Sequence, residues 1–118
     1  MSLLNDKEVG ICNVTFEPEC RNNWHIHHGS GQILICVGGH GWYQEMGKEP
    51  QLLKSGDVVY IAPEIKHWYG AVADEAFAHL ALSIPTEGVS NEWCEAVTDE
   101  EYVNPVSYTH LTLPTNSR

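Results

Sequence analysis

The sequence predicts an all-β domain that folds as a small barrel or jelly roll. Apolar residues occur in many short runs, and several of these runs alternate with polar residues as a half-buried strand does. Turns that contain glycine separate the runs, as at 38–39 and 55–57. Short strands joined by such turns are typical of barrels and jelly rolls. A chain of 118 residues is long enough for one domain with one core.

The strands can be placed one after another along the chain. The predicted strands are 9–16, 24–27, 33–37, 41–45, 51–54, 58–61, 67–70 and 77–84. The run 33–37 is apolar throughout, which predicts a buried strand, and Gly38-Gly39 then predicts a turn into a hairpin with 41–45. One short helix is expected, either at 91–96 or at 98–102, where Thr98-Asp99-Glu100-Glu101 has the pattern of a helix N-terminus.

Three histidines and a glutamine have a spacing that predicts a metal site. His25 and His27 are two residues apart in a predicted strand, so their side chains point to the same face. Gln32 follows, and His67 comes after a second, glycine-led strand. Three imidazole nitrogens and one amide oxygen suit a divalent transition metal. The alternative is that these are ordinary polar residues of a barrel mouth. His28 points away in a regular strand, although a bulge would exchange it with His27.

These residues resemble the two sequence motifs of the cupin superfamily, G-x5-H-x-H-x3,4-E-x6-G and G-x5-P-x-G-x2-H-x3-N. The matching positions are His25, His27, Gly39, Gly56 and His67. The chain departs from the motifs at Glu19, Gln32, Ala62, Glu64 and Ala71. The resemblance covers residues 9–102 and implies a small single-domain cupin β-barrel, a double-stranded β-helix. It also implies a divalent ion (Mn, Fe, Ni or Zn) on His25, His27, Gln32 and His67, and a homodimer formed through sheet faces.

The glutamine at position 32 changes the charge of the expected site. A glutamate ligand would subtract one charge, whereas Gln32 leaves the ion with its full double positive charge. Such a site favours an anionic or enolisable oxygen ligand and acidifies bound water more strongly. An amide oxygen is also a weaker donor than a carboxylate, so affinity falls. The alternative is that Gln32 only hydrogen-bonds nearby and the protein supplies three ligands.

Two further side chains are candidates for proton transfer. His79 shares a strand face with Phe77 and Ala81, and Tyr69 alternates with His67, so both are expected to reach the pocket. There His79 would act as a general acid or base and Tyr69 would orient a substrate oxygen. The alternatives are a structural histidine bonded to a carbonyl and a tyrosine that fills the barrel.

The resemblance implies two classes of function. One is a small metal-dependent enzyme acting on a small oxygenated metabolite, a carboxylate or carbonyl compound, by isomerase, lyase, decarboxylase-associated or dioxygenase chemistry. The other is a non-catalytic module that binds a small molecule and serves a partner enzyme. The segments 22–28 and 41–45 are similar to cupins found beside carboxymuconolactone decarboxylase-like proteins, which makes such a protein a candidate partner.

Composition restricts the remaining partners. A formal net charge of −10 argues against nucleic acid and anionic membranes, because both require a basic patch. No apolar run is long enough to span a bilayer, and the first ten residues lack a signal-peptide pattern, so a cytoplasmic location is expected. In that compartment the four cysteines are expected to be free thiols. They are Cys12, Cys20, Cys36 and Cys94.

The last residues of the chain have a different character. Residues 106–118 resemble the translation of a sequencing-library adapter, which would make them a read-through rather than natural protein. The alternative is a natural polar tail. We therefore expect one cupin domain at 1–105 and a non-native tail at 106–118, and His110 is not a ligand candidate.

Overall fold

The computed structural model describes residues 2–5, 10–83 and 88–102, and these form an antiparallel, curled sheet of nine strands. The predicted tail at 106–118, with His110, lies outside the described residues. The all-β prediction is confirmed, and one helical turn at 99–102 (α1) is the helix of the described part. The strands are β1 Ser2–Asn5, β2 Gly10–Phe16, β3 His25–His28, β4 Gln32–Glu45, β5 Gln51–Lys54, β6 Val58–Ile61, β7 His67–Ala71, β8 Phe77–Ser83 and β9 Ser90–Trp93.

Strand β4 is the central element of the sheet. The strands follow one another across the sheet in the order β1-β2-β8-β4-β7-β3-β9, and β5 and β6 also pair with β4. The first half of β4 pairs with β6 and β8, and its second half pairs with β5 and β7. Because one strand belongs to both halves, the sheet closes around a shared interior. No helix in the part of the chain that the structure describes has the length and apolar character needed to span a bilayer.

The turn predicted at Gly38-Gly39 is wrong, because β4 continues through both residues. The register with β8 shifts between Cys36 and Gly38, which is a β-bulge. Gly39 has a φ of +70°, and a Cβ there would lie 1.8 Å from the carbonyl oxygen of Ala76. Glycine is therefore required at this position. The two glycines bend the strand and carry it from one half of the barrel to the other.

The C-terminal part of the described chain shows which of the two helix predictions is correct. Residues 90–93 form strand β9, so the helix predicted at 91–96 is wrong. The prediction at 98–102 is confirmed, since α1 follows a reciprocal cap between Thr98 and Glu101. The Thr98 amide donates to the Glu101 carboxylate at 2.9 Å, and the Glu101 amide donates to the Thr98 hydroxyl at 3.0 Å.

Two apolar clusters lie on opposite sides of the sheet. The barrel interior contains Leu34, Cys36, Tyr43, Leu53, Ile61, Tyr69, Ala71, Phe77 and Ala81. Outside the sheet, the segment that leads into α1 covers a second cluster made by Trp24, Trp42, Trp68, Val97 and Tyr102. All four cysteines are unpaired in the structure, and Cys36 is buried in the barrel core.

Two glutamates occupy backbone positions that favour glycine. Glu19 and Glu64, which stand where the cupin motifs have glycine, both have a φ of +71°. Each follows a proline, Pro18 or Pro63, as in a type II turn with proline first and glycine second. The Cys20 amide closes the first turn on the Glu17 carbonyl oxygen at 3.0 Å. The chain therefore keeps the turn geometry of the motifs without the residue that adopts it most easily.

Glu19→Gly should stabilise the protein. A non-glycine residue in the left-handed region costs about 1–2 kcal/mol of stability. Glycine removes that cost, but it raises the conformational entropy of the unfolded chain and so lowers stability by roughly 0.4–1 kcal/mol. The net gain is on the order of 0.5–1 kcal/mol, which raises Tm by a few degrees in a domain of this size. Thermal unfolding followed by circular dichroism measures it.

Glu64→Gly is the matched comparison. It relieves the same backbone strain but removes a carboxylate that binds the His28 ring and the Gly29 amide. Its Tm should lie below that of Glu19→Gly. A Glu19→Gly variant that melts at or below the temperature of the unmodified protein would contradict the strain argument.

Candidate metal centre

Three histidines from two neighbouring strands converge inside the barrel. His25 on β3 lies directly opposite His67 on β7, and both are buried. Their ring centroids are 4.2 Å apart, and the His27 ring lies 5.1 Å from His25 and 5.2 Å from His67. The three side chains each offer a nitrogen, and these nitrogens all lie within 4.8 Å of one another. The alternation within β3 thus brings His25 and His27 to one face, as their spacing predicts.

Hydrogen bonds to backbone carbonyl oxygens fix the tautomer of His25 and His67, and the Asn91 amide oxygen favours the same tautomer in His27. In each ring, Nδ1 faces an acceptor at 2.7–2.8 Å and therefore carries the hydrogen that it donates. For His25, His27 and His67 in turn, the acceptors are the Asn23 carbonyl oxygen, the Asn91 side-chain oxygen and the Ile65 carbonyl oxygen. Each Nε2 is then left with a free lone pair. Imidazoles that ligate metals are oriented by this kind of contact.

Within the described part of the chain, three of the four predicted ligands have a buried polar atom without a partner. Nε2 of His27 and Nε2 of His67 are buried without a hydrogen bond among the described residues, and so is Oε1 of Gln32. Buried acceptors are normally satisfied, because leaving one without a partner costs about 1–3 kcal/mol. A cation between the three histidines would satisfy the two nitrogen lone pairs together. The three imidazoles therefore fit a divalent transition ion, and the buried Gln32 oxygen is also without a partner in the part that the structure describes.

Burial also keeps the imidazoles in the form that can ligate. Desolvation lowers the pKa of His67 to about 4 and lowers that of His25 as well, with the neighbouring imidazoles acting in the same direction. Both rings are neutral at physiological pH. A metal ion therefore has no proton to displace from either of them.

His28 faces away from this cluster. Its Nδ1 contacts the Glu64 carboxylate and its Nε2 contacts the Glu92 carboxylate at 2.8 Å. The hydrogen bonds to Glu92 and Glu64 raise the pKa of His28, which favours the protonated ring between the two carboxylates. The exchange of His28 for His27 that a bulge in β3 would produce is not observed.

Tyr69 lies between the three histidines and His79. Its ring centroid is 5.7 Å from His25, 5.9 Å from His67 and 5.1 Å from His79. The prediction that Tyr69 shares the face of His67 is therefore confirmed. Burial raises the pKa of Tyr69 to about 12, so the phenol keeps its proton and can serve as a hydrogen-bond donor.

His79 is enclosed by aromatic rings and has no hydrogen-bond partner. It is fully buried, its ring stacks on Phe77 and Phe16 with centroids 5.0 and 5.9 Å away, and both of its nitrogens are unpartnered among the described residues. The carbonyl-bonded structural histidine considered above is thus not observed. Burial lowers the pKa of His79 to about 4, which keeps the ring neutral. One nitrogen can accept a proton and the other can donate one.

Four residues near the histidines were not predicted from the sequence. Asn91 and Trp93 come from β9, and the Trp93 ring lies 4.9 Å from His25. Tyr43 donates to Glu45 at 2.8 Å, and Glu45 lies opposite His67. The period of two in 41–45 points Tyr43 and Glu45 to the same face, and that signal could have found them. Nothing comparable marks Asn91 and Trp93 in the sequence, where the segment 91–96 is one of two candidate helices.

The chain belongs to the cupin family. The family model of the cupin domain matches residues 12–84, which contain the three histidines, Gln32, Tyr69 and His79. The curled antiparallel sheet is accordingly the double-stranded β-helix of that family, as the two motifs predict.

Comparison with individual proteins gives two relatives of high similarity. The (R)-mandelonitrile lyase of Granulicella tundricola is 44% identical over 94 residues, which are 80% of this chain and 71% of that protein. The crystal structure of a cupin-like protein from Thermotoga maritima has a TM-score of 0.83 and 41% identity, over 89% of this chain and 81% of the other. Acireductone dioxygenase of Bacillus pumilus is more distant. It is 27% identical over 66 residues, which are 52% of this chain and 38% of that protein.

His27→Ala should abolish stoichiometric metal binding, because it removes one of three converging nitrogens. His28→Ala is the matched control on the same strand and should retain stoichiometric metal, since its nitrogens already bind carboxylates. Gln32→Glu should tighten binding, because a carboxylate is a stronger donor than an amide. Elemental analysis after loading, followed by titration with a competing chelator, measures all three variants. Full occupancy in His27→Ala would refute the ligand assignment.

Proposed function

We propose that this protein is a metal-dependent lyase that cleaves a small α-hydroxy compound of the cyanohydrin class. The observation that carries the proposal is a group of three converging imidazoles, linked through the Tyr69 ring to a buried, unpartnered His79. Support comes from the 44% identity to (R)-mandelonitrile lyase over most of both chains. The proposed substrate is a small oxygenated metabolite, as the sequence implies.

The proposed ligands of the ion are His25, His27, Gln32 and His67. A divalent transition ion bound there would act as a Lewis acid on the substrate oxygen. The four donors are uncharged, so they would leave the ion its full positive charge for an anionic or polarised oxygen. Iron, manganese, nickel and zinc all accept such nitrogen and oxygen donors.

His79 and Tyr69 would handle the proton and the orientation of the substrate. One nitrogen of His79 accepts the proton of the substrate hydroxyl, and the electron pair left on oxygen forms the carbonyl as the bond to the nitrile carbon breaks. The departing cyanide takes that bond's electron pair and then a proton from His79. The products are an aldehyde or ketone and hydrogen cyanide, with no net change in the protein. The Tyr69 phenol donates a hydrogen bond to the substrate.

A lyase is favoured over a dioxygenase by the extent of the similarity. The mandelonitrile lyase aligns over 80% of this chain, whereas the acireductone dioxygenase aligns over 52% of it and at lower identity. The His79 geometry agrees with this choice, since a proton acceptor is the group that cyanohydrin cleavage requires. The non-catalytic module has no such requirement for an unpartnered buried base.

Cyanide release from mandelonitrile tests the proposal. The metal-loaded protein should release cyanide, and chelation should abolish the release. His79→Phe keeps an aromatic ring in the same cage and should lower kcat by about 10²–10⁴-fold, the usual contribution of general acid–base catalysis, with metal content unchanged. His40→Phe is the control, because His40 is on the outside and pairs with Glu75. Metal binding without cyanide release in the unmodified protein would favour the binding module.

We also propose a homodimer formed through one outer face of the sheet. The outer apolar face consists of directly paired, outward-facing residues from β4, β6 and β8. They are Ile33, Ile35, Val58, Tyr60, Leu80 and Leu82. None of them is charged, although the chain carries a net charge of −10. Two copies can meet there with the least repulsion, and one face packing on itself gives the twofold arrangement common in dimers.

Tyr60→Asp should convert the dimer into a monomer. Tyr60 is 63% exposed in the single chain, and the substitution would place an unpaired carboxylate in the interface. Leu52→Asp is the control, since Leu52 is 53% exposed but lies on β5, outside this face. Sedimentation analysis measures both. A monomeric unmodified protein, or equal dissociation in the two variants, would contradict the proposed interface.

Three sequence predictions remain proposals. They are the domain boundary at 105, the cytoplasmic location and the association with a carboxymuconolactone decarboxylase-like protein. Co-purification of the two proteins when they are expressed together would test the partner.

A further inference from the structure

We infer that Asn91 positions His27 for metal binding, so that loading of the site depends on the docking of strand β9. The inference rests on the proposed metal centre and concerns how its ligands are held. His25 and His67 are oriented by carbonyl oxygens of their own chain segments, two residues earlier. His27 is instead oriented by a side chain 64 positions away in the sequence, at 2.7 Å.

This difference makes His27 the candidate ligand whose orientation is most easily changed. A main-chain acceptor is present whatever the side chain is, so the orientation of His25 and His67 is built into β3 and β7. The acceptor for His27 exists only while position 91 carries a suitable side chain and β9 stays in register. In that register Asn91 lies directly opposite His27. The contact therefore depends on both the identity of the residue and the position of the strand.

Strand β9 is an exposed edge strand of the described sheet. Within the described chain it pairs with β3 alone, and its four side chains are all exposed. On the other face of the strand, the Glu92 carboxylate contacts the His28 ring and adds a second contact between β9 and β3. A strand with a single neighbour and little burial opens more easily than the barrel core. The acceptor for His27 is thus carried by one of the less stable parts of the fold.

The consequence for the site follows from the chemistry of imidazole. Without the Asn91 oxygen, Nδ1 of His27 loses its hydrogen-bond acceptor, and the hydrogen can move to Nε2. That tautomer presents N–H, not a lone pair, to the centre. Ligand orientation of this kind contributes 10–100-fold to metal affinity. By linkage, a metal that requires the Nδ1–H form must also stabilise the docked position of β9.

The test compares three variants of the full chain, with zinc as the probe metal. Asn91→Ala should weaken zinc binding 10–100-fold, whereas Asn91→Asp keeps an acceptor oxygen and should restore affinity to at least the original value. Asn23→Ala removes the same type of side chain beside His25 but retains the carbonyl that orients it. Its loss of affinity should be far smaller than that of Asn91→Ala. Competition with a fluorescent chelator measures the constants.

Two readouts separate positioning from a general structural effect. Nitrogen-15 NMR of the metal-free protein should show His27 as the Nδ1–H tautomer, and as a mixture in Asn91→Ala. Hydrogen exchange of the β9 amides should slow on zinc binding in the unmodified protein, and much less in Asn91→Ala. Unchanged tautomer and affinity in Asn91→Ala would overturn the inference. Failure of the unmodified protein to take up any metal would refute the proposed centre, while the tautomer would still decide the role of Asn91.

Discussion

The withdrawal of imidazoles from water is the constraint on which the rest of the site depends. His25, His67 and His79 are almost completely buried, and burial lowers the pKa of each of them. Both nitrogens of a buried neutral imidazole normally have hydrogen-bond partners, and a nitrogen without one indicates a functional role such as metal binding. In His25 and His67, one nitrogen is used for orientation and the other is left for the centre. Among the described residues, His79 has no hydrogen bond on either nitrogen, which distinguishes it from His25 and His67 and suits its proposed role in proton transfer.

The barrel that encloses these rings depends on the continuity of β4. The bulge at 36–38 allows one strand to pair with β6 and β8 first and with β5 and β7 later. Gly41 adds to this, because a Cβ there would lie 2.5 Å from the Phe77 ring. That close approach brings Phe77 into the core next to His79. The glycines thus shape the surroundings of His79 through the packing of one aromatic side chain.

Local sequence patterns correctly predicted the features that depend only on neighbouring residues in the chain. A period of two correctly placed His25 with His27 and Tyr69 with His67, and the cap at Thr98 identified α1. The Gly38-Gly39 pair was misassigned because turns and bulges both require glycine, and only the pairing of β4 with distant strands separates them. Asn91 could not be found for a similar reason. Its contact with His27 comes from the register of β9 against β3, a long-range pairing that the segment 91–96 does not encode by itself.

The proposed ligand set, which is uncharged, and a weakly basic His79 are consistent with each other. A glutamate at position 32 would offset part of the charge of a bound ion and would make an imidazolium nearby less unfavourable. With Gln32, the ion would oppose protonation of any neighbouring ring, and burial already lowers the pKa of His79 to about 4. Protonation of His79 would therefore be unfavourable, and the protonated ring would be a stronger acid than an ordinary imidazolium. Cyanohydrin cleavage suits such a group, because the leaving cyanide is a ready proton acceptor formed in the same step.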